Sequence, residues 1–175
     1  MKLEKGLIQV YTGNGKGKTT ASFGLALRAI GRGLRVYIVQ FIKGGFDYGE
    51  LYIADKLPGM TLKAFGRGKF VSEKKPDKID VDLAREALRE AQKAIRSGEV
   101  DVLILDEINV ALNLKLVEIE EVLKLIKEKP EHMEIVLTGR SAPVEIVQAA
   151  DLVTEMIEIK HPYNAGFKAR KGIEY

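Results

Sequence analysis

A run of strand-forming residues, Leu7–Thr12, leads straight into GNGKGKTT (Gly13–Thr20), and the residues after it read as a helix. This junction restricts the fold more than any other feature of the chain. Glycines at 13, 15 and 17 permit unusual backbone angles and close approach. Successive N–H groups can then turn towards one anion at a helix N-terminus. Lys18 adds positive charge, and the hydroxyl of Thr19 suits Mg²⁺. The strict spacing G-x-x-x-x-G-K-[ST] would put its first glycine at position 12, where this chain has Thr12. Gly13 is expected to take over the tight turn. A turn without a ligand would have no use for three alternate glycines followed by Lys-Thr-Thr, so a phosphate cradle is the better reading. Its candidate residues are Gly13, Asn14, Gly15, Lys16, Gly17, Lys18, Thr19 and Thr20. Lys16 has two readings, phosphate contact or solvated lysine.

The rest of the chain repeats this strand–helix grammar. Strands are expected at Leu7–Thr12, Val36–Phe41, Thr61–Phe65, Val100–Leu105, Ile135–Thr138 and Leu152–Ile157. Most are nearly continuous Val, Ile and Leu, the pattern of strands covered on both faces. Helices are expected at Lys18–Ile30, at Asp80–Ile95 with Ala84, Leu88, Ala91 and Ile95 on one face, and at Glu118–Lys127. A short helix opened by Ser141 and Pro143 completes the set. The fold class is therefore α/β: a three-layer, RecA-like P-loop arrangement around a mainly parallel sheet of about six strands. One domain over residues 1–175 is expected. The polar connection Gly66–Lys78 is of a length that is often functional.

The segment VDVLILDE (Val100–Glu107) ends an apolar strand in two carboxylates, at the sheet edge where open α/β folds bind ligands. Mg²⁺ keeps several waters, so Thr19, one of Asp106 and Glu107, and phosphate oxygens would suffice to hold it. The segment VLTGR leads to Arg140 at the same edge. This residue is either a phosphate or leaving-group ligand or a solvated arginine. His161 reads chiefly as a turn residue beside Pro162. Glu50 reads as a helix-start acid or a site residue, and Asn109 and Asn113 as loop and capping residues. Tyr163 and Phe167 are expected to anchor the C-terminal segment, either over the nucleotide or across a dimer interface.

Composition removes several classes. No cysteine is present, which excludes disulfides, zinc–thiolate sites and thiol nucleophiles. The net charge of +3 sits in the segment after Ile159, so the body lacks the basic stripe of a nucleic-acid binder. No apolar run reaches membrane-span length, and a cytoplasmic protein with no membrane partner is expected.

Five segments together resemble a known family. They are YTGNGKGKTT, VQFIKG (Val39–Gly44), LDE (Leu105–Glu107), TGR (Thr138–Arg140) and the ending KHPYNAGFKARKGIEY. They look like the ATP:corrinoid adenosyltransferases of P-loop type, which act in cobalamin synthesis and salvage. The resemblance runs from about Gly6 to Tyr175. It implies transfer of the 5′-deoxyadenosyl group of ATP to the cobalt of a reduced corrinoid, with release of triphosphate. Co(I) is then the nucleophile, and the protein needs only to position the reactants and stabilise the leaving group. Carried onto this chain, the resemblance has Gly13–Thr20 wrap the triphosphate and Lys18 neutralise it. It has Thr19 with Glu107, and less directly Asp106, hold Mg²⁺ (or Mn²⁺). Lys18, Glu107 and Arg140 become the candidate catalytic residues. The family is also reported to bind ATP in the opposite sense to most P-loop proteins. ATP as co-substrate, a homodimer and an electron-donating flavoprotein partner are further implications.

Two departures stand out. Some relatives carry a longer N-terminal arm over the site, whereas about six residues precede the first strand here. Closure is then expected from the loops at 44–50 and 66–78, or from a partner subunit. Some relatives also have a Phe-Trp pair where this chain has Phe70-Val71. Phe70 either sits beneath the corrin or packs a loop onto the body. Three other classes fit parts of the pattern: a RecA-like ATPase in which Glu107 activates water, a nucleotide sensor, and a small-molecule kinase. The last lacks an arginine-rich lid segment.

Overall fold

A computed structural model of the chain describes residues 2–71 and 76–175. Six strands, β1 (Ile8–Thr12), β2 (Val36–Gln40), β3 (Met60–Ala64), β4 (Val102–Asp106), β5 (Glu134–Thr138) and β6 (Leu152–Glu155), form one sheet in the order β3-β2-β4-β5-β1-β6. Every pairing is parallel. The glycine-rich loop follows β1, and the acidic pair closes β4, with β5 between these strands. Side-by-side parallel strands put all their C-terminal ends at one edge, and the site forms there.

The helices are α1 (Lys18–Ile30), α2 (Gly49–Ala54), α3 (Lys78–Ser97), α4 (Ile108–Asn113), α5 (Ile119–Lys127) and α6 (Val144–Ala149). Strand alternation sorts the core into two layers. Val39, Leu103, Leu105, Ile135 and Leu137 point into a larger core with α3, α4, α5 and α6. Val36, Ile38, Val102, Ile104 and Val136 point the other way, against Ala26 and Ala29 of α1. The expected stripe of α3, Ala84, Leu88, Ala91 and Ile95, is buried in the larger core. Four alanines on the buried face, Ala84, Ala87, Ala91 and Ala94, let α3 lie close on the sheet. Ile104 has no exposed surface, and truncating it to Ala would cost about 2–5 kcal/mol.

Several expected boundaries move. β4 runs to Asp106, beyond the expected end at Leu105, and β6 stops at Glu155. Glu118 caps α5 rather than joining it, forming a reciprocal capping box with Glu121. α4 was not expected, and α2 was foreshadowed only by Glu50, which stands in its first turn as a helix-start acid. Each has only six residues, too few for helical periodicity to register. Asn109 and Asn113, read as loop and capping residues, lie within α4, and Asn109 is fully buried. Within the connection Gly66–Lys78, residues 72–75 lie outside the described residues. No helix among the described residues is long and apolar enough to cross a membrane.

Candidate functional site

The phosphate-cradle residues form the turn between β1 and α1. Gly13 has φ 91°, in the left-handed region. A Cβ there would lie 2.4 Å from the carbonyl oxygen of Met156, so glycine is required twice over. The loop is pinned to the chain beyond β6 by the Gly15 N–H, which donates to that same carbonyl at 2.7 Å. Thr12, where the strict pattern has glycine, is the last residue of β1. Its Oγ1 accepts the Ala142 N–H at 3.0 Å, tying the cradle to the segment after β5. Gly13 makes the turn, and the residue before it is freed for this anchor.

Lys18 is 8 % exposed, and its ammonium donates to the carbonyl oxygens of Gly13 and Gly15, each at 2.7 Å. Burial pushes its pKa down, with Arg140 and Lys43 adding to the effect and Glu107 and Asp106 opposing it. A cation in that setting gains from any anion placed before it.

The floor of the site follows from strand alternation. Val36 and Ile38, Val102 and Ile104, and Val136 all face α1; the next residue on that face of each strand is Gln40, Asp106 or Thr138. Register places Gln40 beside Asp106. Three strands thus end their apolar runs in one polar row. Asp106, with no exposed surface, is the acceptor at the centre of this row. Its Oδ1 accepts from Thr19 Oγ1 (2.9 Å) and Thr138 Oγ1 (2.7 Å). Its Oδ2 accepts from Gln40 Nε2 (3.1 Å) and Lys43 Nζ (2.7 Å). Burial opposes ionisation of Asp106. Lys43 and the two hydroxyls outweigh it, and the carboxyl pKa lies below its ordinary range.

Glu107, the next residue, has the opposite surroundings. It adopts φ 62°, uncommon for a residue with a side chain, and caps α4 from a left-handed conformation. Its N–H donates to Thr138 Oγ1 at 3.0 Å. Its carboxylate lines the cleft and has no hydrogen-bond partner among the described residues. Burial, and then the neighbouring Asp106 charge, push its pKa up; Lys43, Lys18 and Arg140 offset part of this. A backbone held in this way at a functional edge stores strain of about 1–3 kcal/mol.

Above this floor lies a cleft of about 690 Å³. It brings together Asn14, Gly15, Lys16, Gly17, Lys18, Thr19, Thr20, Glu107 and Arg140. Gly13 and Asp106 support it from behind. Phe70 lies outside its lining and is 95 % exposed, its ring 6.0 Å from that of Phe46. Lys16 meets neither of its two expected partners alone. Its ammonium donates to the Ile173 carbonyl (3.0 Å) and to Glu174 (3.3 Å) in the C-terminal segment. That segment also ties Lys171 to Asp47 at 3.2 Å, spanning the cleft from the cradle to the loop before α2. His161 lines the cleft while its Nδ1 accepts the Tyr163 N–H, so the turn role is present. Tyr163 and Phe167 are exposed.

The residues missed by sequence reading are Gln40, Lys43, Thr138 and Tyr48. The first and third carried a legible signal: an apolar period-two run whose last same-face residue is polar, repeated on three strands. Lys43 and Tyr48 follow β2 in an irregular loop, where no periodicity points.

An all-parallel α/β sheet, a glycine cradle opening α1 and an acidic strand end across one intervening strand define a P-loop nucleotide-binding protein. The sequence matches, over residues 4–175, the family described as "ATP:corrinoid adenosyltransferase BtuR/CobO/CobP". A corrinoid adenosyltransferase of Sinorhizobium sp is 42% identical over 174 residues, covering 98% of this chain and 81% of the relative. Those of Pseudomonas aeruginosa and Escherichia coli K12 are 38% and 37% identical, over 98% of this chain and 85% and 87% of theirs. The chain belongs to the ATP:corrinoid adenosyltransferase family.

Proposed function

We propose that the chain, acting as one domain, transfers the 5′-deoxyadenosyl group of ATP to the cobalt of a reduced corrinoid and releases triphosphate. The supporting observation is that the cradle, the Glu107 carboxylate and Arg140 converge on one cleft. In this reaction the nucleophile arrives with the substrate: Co(I) attacks the ribose C5′. A Co–C bond forms as the C5′–O bond breaks, and the electron pair leaves with the triphosphate. The protein's part is to hold the leaving group, align the carbon and exclude water. Gly13–Thr20 supply N–H donors, and Lys18 and Arg140 supply positive charge where negative charge collects. The opposite orientation of ATP in the cradle belongs to the same reading.

The residues suit a divalent ion. Thr19 Oγ1 and the unpartnered Glu107 carboxylate face the cleft, and Asp106 stands behind Thr19. Among the described residues no group of three or more His, Cys, Asp or Glu could hold a metal alone. Phosphate oxygens and water must complete the shell, as Mg²⁺ prefers. When bound, Mg²⁺ (or Mn²⁺) would neutralise part of the triphosphate charge. An electron-donating flavoprotein is the proposed source of the electrons that reduce the cobalt. The exposed Ile159 and Phe167 favour a homodimer that covers them. Phe70, standing clear of the body, is available to the corrin.

The test is incubation with ATP, Mg²⁺ and chemically reduced cobalamin under strict anaerobiosis, following the visible spectrum and the phosphate products. A cobalt–carbon spectrum with triphosphate is expected. Orthophosphate released without corrinoid would instead identify an ATPase.

A further inference from the structure

Lys43 is not among the residues assigned above to phosphate or metal, yet it has the most constrained position in the site. The backbone reverses immediately before it, Ile42 having φ 57°, a strained angle for a β-branched residue. Immediately after it, Gly44 packs so tightly on the neighbouring loop that a Cβ would lie 2.4 Å from the Gly66 nitrogen. The Gly44 N–H donates to Phe65 O at 2.9 Å. This clamp sends the lysine back over the sheet edge. Its side chain is only 11% exposed, with the ammonium 2.7 Å from Asp106 Oδ2, 3.0 Å from Thr19 Oγ1 and 4.0 Å from Glu50. The ammonium also lies over the ring of Tyr48, 5.3 Å from its centroid.

A cation between the first hydroxyl of α1 and the strand-end aspartate stands where a divalent ion bound to both would have to sit. Mg²⁺–oxygen bonds are about 2.0–2.1 Å, and an ammonium already within hydrogen-bond distance of both oxygens leaves no room for one. We propose that Lys43 is a positioning residue. Its ammonium neutralises Asp106 from within, reserves that carboxylate for orienting Thr19, and confines the divalent ion to the open side of Thr19, opposite Glu107. Thr19 Oγ1 donates to Asp106 and accepts from Lys43, which leaves one lone pair, directed by the other two contacts, for the ion. The four-partner saturation of Asp106 and the unpartnered state of Glu107 are two sides of the same arrangement.

The inference rests on the nucleotide site being a triphosphate–metal site but not on adenosyl transfer. Its test uses no corrinoid. Binding of Mn²⁺ alone, followed by electron paramagnetic resonance, should be weak in the unaltered protein. It should become at least about tenfold tighter in Lys43→Met, where Asp106 is released to the metal. Lys43→Met/Asp106→Asn should lose that gain, which assigns it to the aspartate. Lys43→Met binding Mn²⁺ no better than the unaltered protein overturns the proposal. Because Lys43→Met and Asp106→Asn both weaken folding, each is first confirmed as folded by circular dichroism, and a second comparison keeps lysine in place. In titrations of Mn²⁺ with ATP, Glu107→Gln should lose at least about thirtyfold in metal affinity and Asp106→Asn less than about threefold. Equal losses would place both carboxylates on the ion and sink the proposal. Failed adenosyl transfer alongside the expected Mn²⁺ pattern would refute the transfer reaction only.

Discussion

The floor of the cleft and its rim are built by different physics. In the floor, Gln40, Asp106 and Thr138 are buried, and Asp106 is balanced by the half-buried Lys43 and accepts four hydrogen bonds, while Gln40 Oε1 has no partner among the described residues. The rim depends on exposed pairs: Lys16 with Glu174, Arg170 with Glu174 and Lys171 with Asp47. Buried groups in low dielectric are costly to leave unpaired, so the floor has one geometry. Exposed pairs are weak and salt-screened, so the rim can part at little cost. A site that must align a phosphate chain and also admit a large planar substrate needs both kinds of construction.

The largest expected effect tests the floor's rigidity. Asp106→Asn removes the nearest counter-ion of Lys43, leaving Glu50 at 4.0 Å, and should destabilise the fold by about 3–5 kcal/mol in chemical denaturation at neutral pH. The pH dependence has a definite sign. The folded-state pKa of Asp106 is depressed, so its contribution is present above the unfolded value and lost as pH falls through the folded one. Loss of stability on acidification should therefore be shallower in Asp106→Asn. A loss below 1 kcal/mol, within the ordinary range for surface changes, would show the floor to be adaptable.

Glu107 should respond oppositely. Its folded pKa is raised, so its favourable contribution belongs to acid pH and disappears as pH rises through the folded value. Glu107→Gln should therefore melt higher than the unaltered protein at pH 7, with the gap closing in acid. Turnover should fall by about 10²–10³, because the divalent ion that Glu107 would hold at the leaving phosphates is lost. A variant that melts lower at pH 7, with full activity, would mean that Glu107 is a structural cap and nothing more.

How far the sequence could be read follows this division between floor and rim. The six parallel strands, α1 and the cradle were legible because they depend on period-two runs, 3.6-residue periodicity and glycine chemistry, all local properties. Asp106 and Glu107 were legible as a pair. Their opposite environments were not, since these depend on Thr138, thirty-two positions away, and on Lys43 beyond a strained turn. Thr12 was readable as a departure, but its reason, the anchor to Ala142, is a long-range contact. The grip of Lys16 on Glu174 crosses nearly the whole chain, and the charge of neither residue names its partner.

Lys18→Ala should weaken ATP binding by about 10–150-fold in calorimetry, the range for one charge-assisted hydrogen bond. The carbonyls of Gly13 and Gly15 would be left without its donors, so a small stability loss should accompany it. Near-normal affinity would mean the cradle has been misread.

The smallest effect should come from the rim. Glu174→Ala removes the acid shared by Lys16 and Arg170. It takes negative charge away from the mouth of a phosphate site and frees Lys16 to turn inwards. ATP affinity should therefore rise, by less than about fivefold because the pair is exposed, and the gain should vanish in high salt. Thermal stability should scarcely change, since no buried contact is lost. If affinity instead falls, the C-terminal segment is part of the nucleotide's binding wall, and the boundary drawn here between floor and rim must move outward to include it.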